Sequence, residues 1–115
     1  MKEIKAFVRR ERVNQIVEEL QHAEAPGITV TEVHPVGYGY EPNYFESNYR
    51  DVLSSYDYLA IVKLEVVCAD EDMEKLVQVV QKLSHTGNQG DGVIFVSEVI
   101  ESIRIRDGER GEKIL

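Results

Sequence analysis

The chain has 115 residues, 43% of them hydrophobic, and carries 21 acidic against 13 basic side chains for a formal net charge of -8. That length suits one compact domain with a substantial core, and the acidic balance argues against broad binding to a nucleic-acid backbone, which needs a concentrated positive surface. One cysteine, Cys68, excludes an intrachain disulfide, and no signal peptide or apolar run of membrane-spanning length is visible, so a cytoplasmic protein without direct membrane insertion is expected.

Ile4, Ala6 and Val8 alternate with Glu3, Lys5 and Phe7, which predicts a first strand. Val13, Ile16, Val17 and Leu20 then recur at helical spacing, with glutamates on the wet side. Pro26-Gly27 ends that segment and admits a strand at Ile28–Val33. Residues 34–57 form a broad insertion rich in tyrosine, asparagine, glycine and serine, and an apolar strand follows at 58–67. A second helix is expected from about Asp70, with Met73, Leu76, Val77, Val80 and Leu83 as its buried stripe and Asp70 as its N-cap. A fourth strand spans 93–99, then a short basic strand places Arg104 and Arg106 at alternate positions before a polar turn at 107–111. The sum is an α+β domain over residues 1–115, of βαββαβ order. It has an antiparallel sheet, two helices on one face, a long central loop and a short C-terminal extension.

Residues 86–92 read Thr-Gly-Asn-Gln-Gly-Asp-Gly and lead straight into Val93-Ile94-Phe95-Val96. A glycine-rich loop before a strand can turn backbone N–H groups toward an anion, and the nearby Arg104 and Arg106 can supply opposing charge. Together they point to a phosphate-bearing ligand. No GxxxxGK[ST] or helix-opening GxGxxG is present, so a second reading is open on the residues alone. In that reading the glycines make a turn and the arginines are solvated or paired with carboxylates. His22, His34 and His85 lack compact metal-ligand spacing, and no serine, cysteine or histidine stands in a nucleophile motif, so neither catalytic nor metal-ligating residues are expected.

The segments Thr29-Val30-Thr31-Glu32-Val33, the glycine loop with Ile94-Phe95-Val96, and residues 103–111 (Ile-Arg-Ile-Arg-Asp-Gly-Glu-Arg-Gly) resemble the PII signal-transduction family of nitrogen-regulatory proteins. The resemblance covers nearly the whole chain and weakens in the central loop. It implies a homotrimer of ferredoxin-like domains, adenine nucleotide in the clefts between subunits, and a central loop, here 37–57, that touches a target protein. By resemblance Gly37, Gly87, Gly90, Asp91 and Gly92 lie at the phosphates, and Arg104 and Arg106 supply charge there. Thr29 stands near adenine, Glu65 near the ribose, and the Val67 backbone at the adenine edge. The implied cofactors are ATP, ADP or AMP, with Mg2+ accompanying ATP, and the implied partner is a transporter or metabolic protein that recruits the chain to the membrane.

Four departures narrow that reading. Val93 stands where the family has a lysine after the last loop glycine, which should favour ADP or AMP over ATP. Pro35 replaces the first glycine at the base of the central loop, Gly39 replaces a glutamine, and Ile61 replaces a lysine. The lost glutamine and lysine help to form the family's 2-oxoglutarate site, so that response is expected to be absent. The central insertion concentrates Tyr38, Tyr40, Tyr44, Phe45, Tyr49, Tyr56 and Tyr58 among polar residues, a composition suited to protein docking or to internal packing. The expectation is a non-enzymatic nucleotide sensor. Its competitors are a nucleotide-hydrolysing enzyme and a constitutive trimeric module with a degenerate cleft.

Overall fold

The computed structural model describes residues 1–35 and 61–115. Gly37, Gly39, the aromatic residues of the 37–57 loop and the expected start of the third strand at 58 lie outside the described residues. Among the described residues four strands and two helices follow in the order β1 (Lys2–Arg9), α1 (Arg10–His22), β2 (Ile28–Val33), β3 (Ile61–Cys68), α2 (Asp70–Ser84) and β4 (Val93–Glu98), closed by a 3-10 turn at Glu112–Ile114. The sheet runs β2-β3-β1-β4, with each neighbouring pair antiparallel. This is the expected βαββαβ arrangement of a ferredoxin-like fold.

Strand alternation decides which face is covered. Ile4, Ala6 and Val8 of β1 and Val62, Leu64, Val66 and Cys68 of β3 all point to one side. There they form a single buried cluster with Val13, Ile16 and Leu20 of α1 and with Leu76 and Val80 of α2. Met73, Val77 and Leu83 pack at its margin, so the predicted stripe of α2 is the stripe used. Both helices therefore cover the same face. Cys68 sits at the floor of this core, and burial pushes its thiol pKa up, which suits an inert packing residue.

The opposite face carries Glu3, Lys5, Phe7 and Arg9 of β1, Lys63, Glu65 and Val67 of β3, and Val93, Phe95 and Ser97 of β4. No helix of the described residues lies over it. Phe7 and Phe95 meet there edge to face, with ring centroids 6.3 Å apart, and Phe95 remains 43% exposed.

Two expectations are corrected. Asp70 does not cap α2: Ala69 holds the cap position without a side-chain bond, and the Asp70 carboxylate instead pairs with the N-terminal amine at 2.9 Å. The charged amine competes better for the carboxylate than a neutral backbone N–H does. The second correction is that residues 103–106 form no strand. Ile103 bridges only Arg110, and Arg104–Gly108 is a turn closed by the Gly108 N–H on the Arg104 carbonyl at 2.8 Å. Gly108, at φ 75°, completes this turn where an alternating strand was expected.

Candidate functional site

The expected site residues fall into two groups at opposite ends of β1. At its N-terminal end, register sets Thr29 opposite Glu65 and Val67 opposite Glu3. These four side chains line a cleft of about 340 Å³ with Pro26, Gly27, Ile114 and Leu115. Glu65 is held by Lys63, two residues along on the same face, at 3.4 Å. The C-terminal turn belongs to this end as well, since the Ser102 hydroxyl lies 3.3 Å from the Met1 sulfur and also donates to the Gly111 carbonyl at 2.8 Å. Arg104 and Arg106 protrude from that turn. Arg104 grips Asp107 through Nε and Nη2, the latter at 2.8 Å, whereas Arg106 is largely exposed and only approaches Asp107 at 3.9 Å. The Arg104 guanidinium and the Glu109 N–H together lower the Asp107 pKa.

At the other end of β1 lies the glycine loop. Gly87, Gly90 and Gly92 adopt φ of 86°, 97° and 112°. Asp91 organises the loop by accepting the Thr86 N–H at 2.7 Å, the Thr86 hydroxyl, the Gly87 N–H at 2.8 Å and the Arg9 guanidinium at 2.6 Å. These donors, the Thr86 hydroxyl foremost, hold the Asp91 carboxyl far below the usual carboxylate range. Two of the N–H groups expected to face an anion are thus taken by a carboxylate of the loop itself. His85 follows α2 directly, and its exposed ring stands 3.9 Å from Asp91.

Gly37 lies outside the described residues, and the remaining candidates do not converge within one chain. Glu3 and Arg9 are six strand steps apart, about 20 Å at the usual rise. Thr29, Glu65 and Val67 share one end of the sheet with the arginine turn, while Gly87, Gly90, Asp91 and Gly92 occupy the other. Sequence reasoning missed Glu3 in the first group and Arg9 in the second. Arg9 was detectable in outline, because it continues the open-face alternation of Glu3, Lys5 and Phe7, but nothing local tied it to a loop some eighty residues later.

Ile61, which stands where a lysine was looked for, is 2% exposed and pairs with both Arg9 and Val33. No group of three or more histidine, cysteine, aspartate or glutamate side chains among the described residues could hold a metal ion. No described helix is long and apolar enough to cross a membrane.

Known proteins are similar in sequence to this chain over nearly its whole length. The profile of the family described as Nitrogen regulatory protein P-II matches residues 1–109. The Nitrogen regulatory protein P-II of Rhizobium meliloti (strain 1021) is 42% identical over 111 residues, covering 96% of each chain. That of Azospirillum brasilense is 40% identical over the same length and coverage. Nitrogen regulatory protein P-II 2 of Methanothermobacter thermautotrophicus is 41% identical over 115 residues, 98% of this chain and 96% of the relative. The family model and the identities over nearly the whole length agree: the chain belongs to the nitrogen regulatory protein P-II family and is a signal-transduction regulator, not an enzyme.

Proposed function

We propose that this regulator is a single PII-like domain over residues 1–115 that senses adenine nucleotides as a homotrimer, with ADP or AMP favoured over ATP. The observation that carries the reading is the separation of the two half-sites. A cleft of about 340 Å³ with a threonine, carboxylates and an apolar floor suits a nucleoside but not its phosphates, and the glycine loop that suits phosphates lies about 20 Å away along β1. A second copy placed against the uncovered sheet face would bring one chain's Thr29, Glu65, Val67, Arg104 and Arg106 to its neighbour's Gly37, Gly87, Gly90, Asp91 and Gly92. Phe7, Phe95 and the ion-paired Lys5 and Lys63 on that face offer an apolar centre with a polar surround for such contact.

Nucleotide in the cleft between copies would bias the 37–57 loop and so its affinity for a protein target, a transporter or metabolic protein, that recruits the cytoplasmic trimer to the membrane. Mg2+ would accompany ATP through phosphate oxygens. The 2-oxoglutarate response would be lost, because Gly39 and Ile61 offer neither the amide nor the ammonium, and Val93 supplies no charge to a terminal phosphate.

One observation favours the competing reading of a constitutive trimer with a degenerate cleft: Asp91 and Asp107 already satisfy donors that a nucleotide would use. Calorimetry decides between them. Titrations of ATP, ADP and AMP, with and without Mg2+ and 2-oxoglutarate, should show saturable nucleotide binding and no 2-oxoglutarate binding. Heat from 2-oxoglutarate with Mg-ATP would overturn the narrower claim, and no affinity for any nucleotide would leave the constitutive module.

A further inference from the structure

We propose that Arg9 is the phosphate-facing cation of the glycine loop, an assignment that rests on the nucleotide reading above. Residues 86–92 contain neither lysine nor arginine, and the residue that follows is Val93. Among the described residues, Arg9 is the one lysine or arginine whose side chain reaches that loop, through Nη1 on Asp91 at 2.6 Å and Nη2 on the Gln89 carbonyl at 3.3 Å. The neighbouring arginines are committed elsewhere: Arg10 pairs with Glu32 at 3.0 Å, and Arg12 donates to the Leu83 carbonyl at the end of α2 at 3.4 Å.

The loop is also shaped around this group. A Cβ on Gly90 would stand 3.2 Å from Arg9 Nη2, so a side chain there would crowd the guanidinium by a few tenths of an ångström as well as strain a φ of 97°. Asp91 pairs with one arm of Arg9 and also accepts from Thr86 and Gly87, so the carboxylate that holds the fork is itself fixed in the loop. A guanidinium carries five N–H donors in one plane, and the two bonds to the loop leave further N–H groups on the same rigid fork. The side chain is 25% exposed, and buried Ile61 stands opposite in register, so the charge acts beside an apolar wall where a phosphate contact is less screened by water. A phosphate laid against the loop would share Arg9 with Asp91 in a charge-assisted bridge.

The test compares the unaltered chain with Arg9→Met, which keeps the alkyl stem, and Arg9→Lys, which keeps the charge. Adenosine, AMP, ADP and inorganic phosphate are titrated into each, and amide exchange at Thr86 and Gly87 reports loop integrity. The expected result is a loss of roughly tenfold in AMP and ADP affinity in Arg9→Met, partial recovery in Arg9→Lys, and unchanged affinity for adenosine. Unchanged ADP affinity in Arg9→Met overturns the assignment while nucleotide sensing stands. Equal losses for adenosine and ADP overturn it in favour of a structural role. Inorganic phosphate binding as tightly as ADP, and abolished in Arg9→Met, reassigns the cation to the free ion and overturns the nucleotide claim. An unaltered chain that binds no nucleotide overturns both readings.

Discussion

The glycine loop and the C-terminal turn are built alike and held differently. Each is centred on an aspartate that accepts from an arginine and from backbone N–H groups, Asp91 in one and Asp107 in the other. The Arg104–Asp107 pair closes over three residues within one exposed turn, whereas Arg9–Asp91 spans eighty-two positions and ties the end of β1 to the approach of β4. A local pair costs little chain entropy and reports little about the rest of the molecule. The distant pair exists only because β1, α2 and β4 are already packed, so the glycine loop inherits its geometry from the core.

The hardest way to break this contrast is through the core. Leu76, fully buried on α2, lies under the element that leads into the glycine loop. Leu76→Ala should lower unfolding free energy by about 2–5 kcal/mol, read from the urea midpoint. Loop amides at Thr86 and Gly87 should lose protection along with the core, while the Arg104–Gly108 turn, outside the core cluster, changes less. Equal loss in both regions would show that the turn too is fixed by packing.

A more local comparison replaces each aspartate in turn. In Asp91→Ala the Thr86 and Gly87 amides lose their acceptor and should exchange about tenfold faster, because several donors lose one charged partner together. In Asp107→Ala the thermal midpoint should stay where it is, since an exposed pair three residues apart contributes little to stability. A lowered midpoint in Asp107→Ala would give the turn a structural weight that its exposure does not predict.

The smallest effect is one of order along the pH axis. Both aspartates have folded pKa values below the unfolded one, so the stability each contributes is fully present above about pH 4 and is lost as pH falls through the folded value. Asp91 has donors from two side chains and two backbone amides, of which Arg9 comes from a distant part of the chain and the rest from the loop itself. Asp107 should therefore protonate first on acidification and Asp91 last. Carboxyl-carbon chemical shifts followed from pH 5 downward would check the order, and the reverse order would mean that the loop network is looser than its distances indicate.

Much of the fold was legible because periodicity alone encodes it. The alternation in Ile4, Ala6 and Val8 and the 3.6-residue spacing of Val13, Ile16 and Leu20 each name a buried face, and the second helix stripe was read correctly except for Val79 and Ser84. Ile28–Val33 falls where Pro26-Gly27 and the β-branched run place it. The glycine loop was legible as a turn because glycines before a strand mark backbone geometry directly, and Gly87, Gly90 and Gly92 all take positive φ. Illegible was everything decided by partners distant in sequence. Asp70 looks like a helix cap until the N-terminal amine arrives beside it, and Ile103–Arg106 alternates like a strand until Gly108 turns it and Ile103 bridges Arg110. Arg9 reads as a charge at the end of β1, and Asp91 as a polar loop residue. Only tertiary packing joins them, because a salt link between a strand end and a distant loop depends on where two chain segments meet and not on the residues beside either of them.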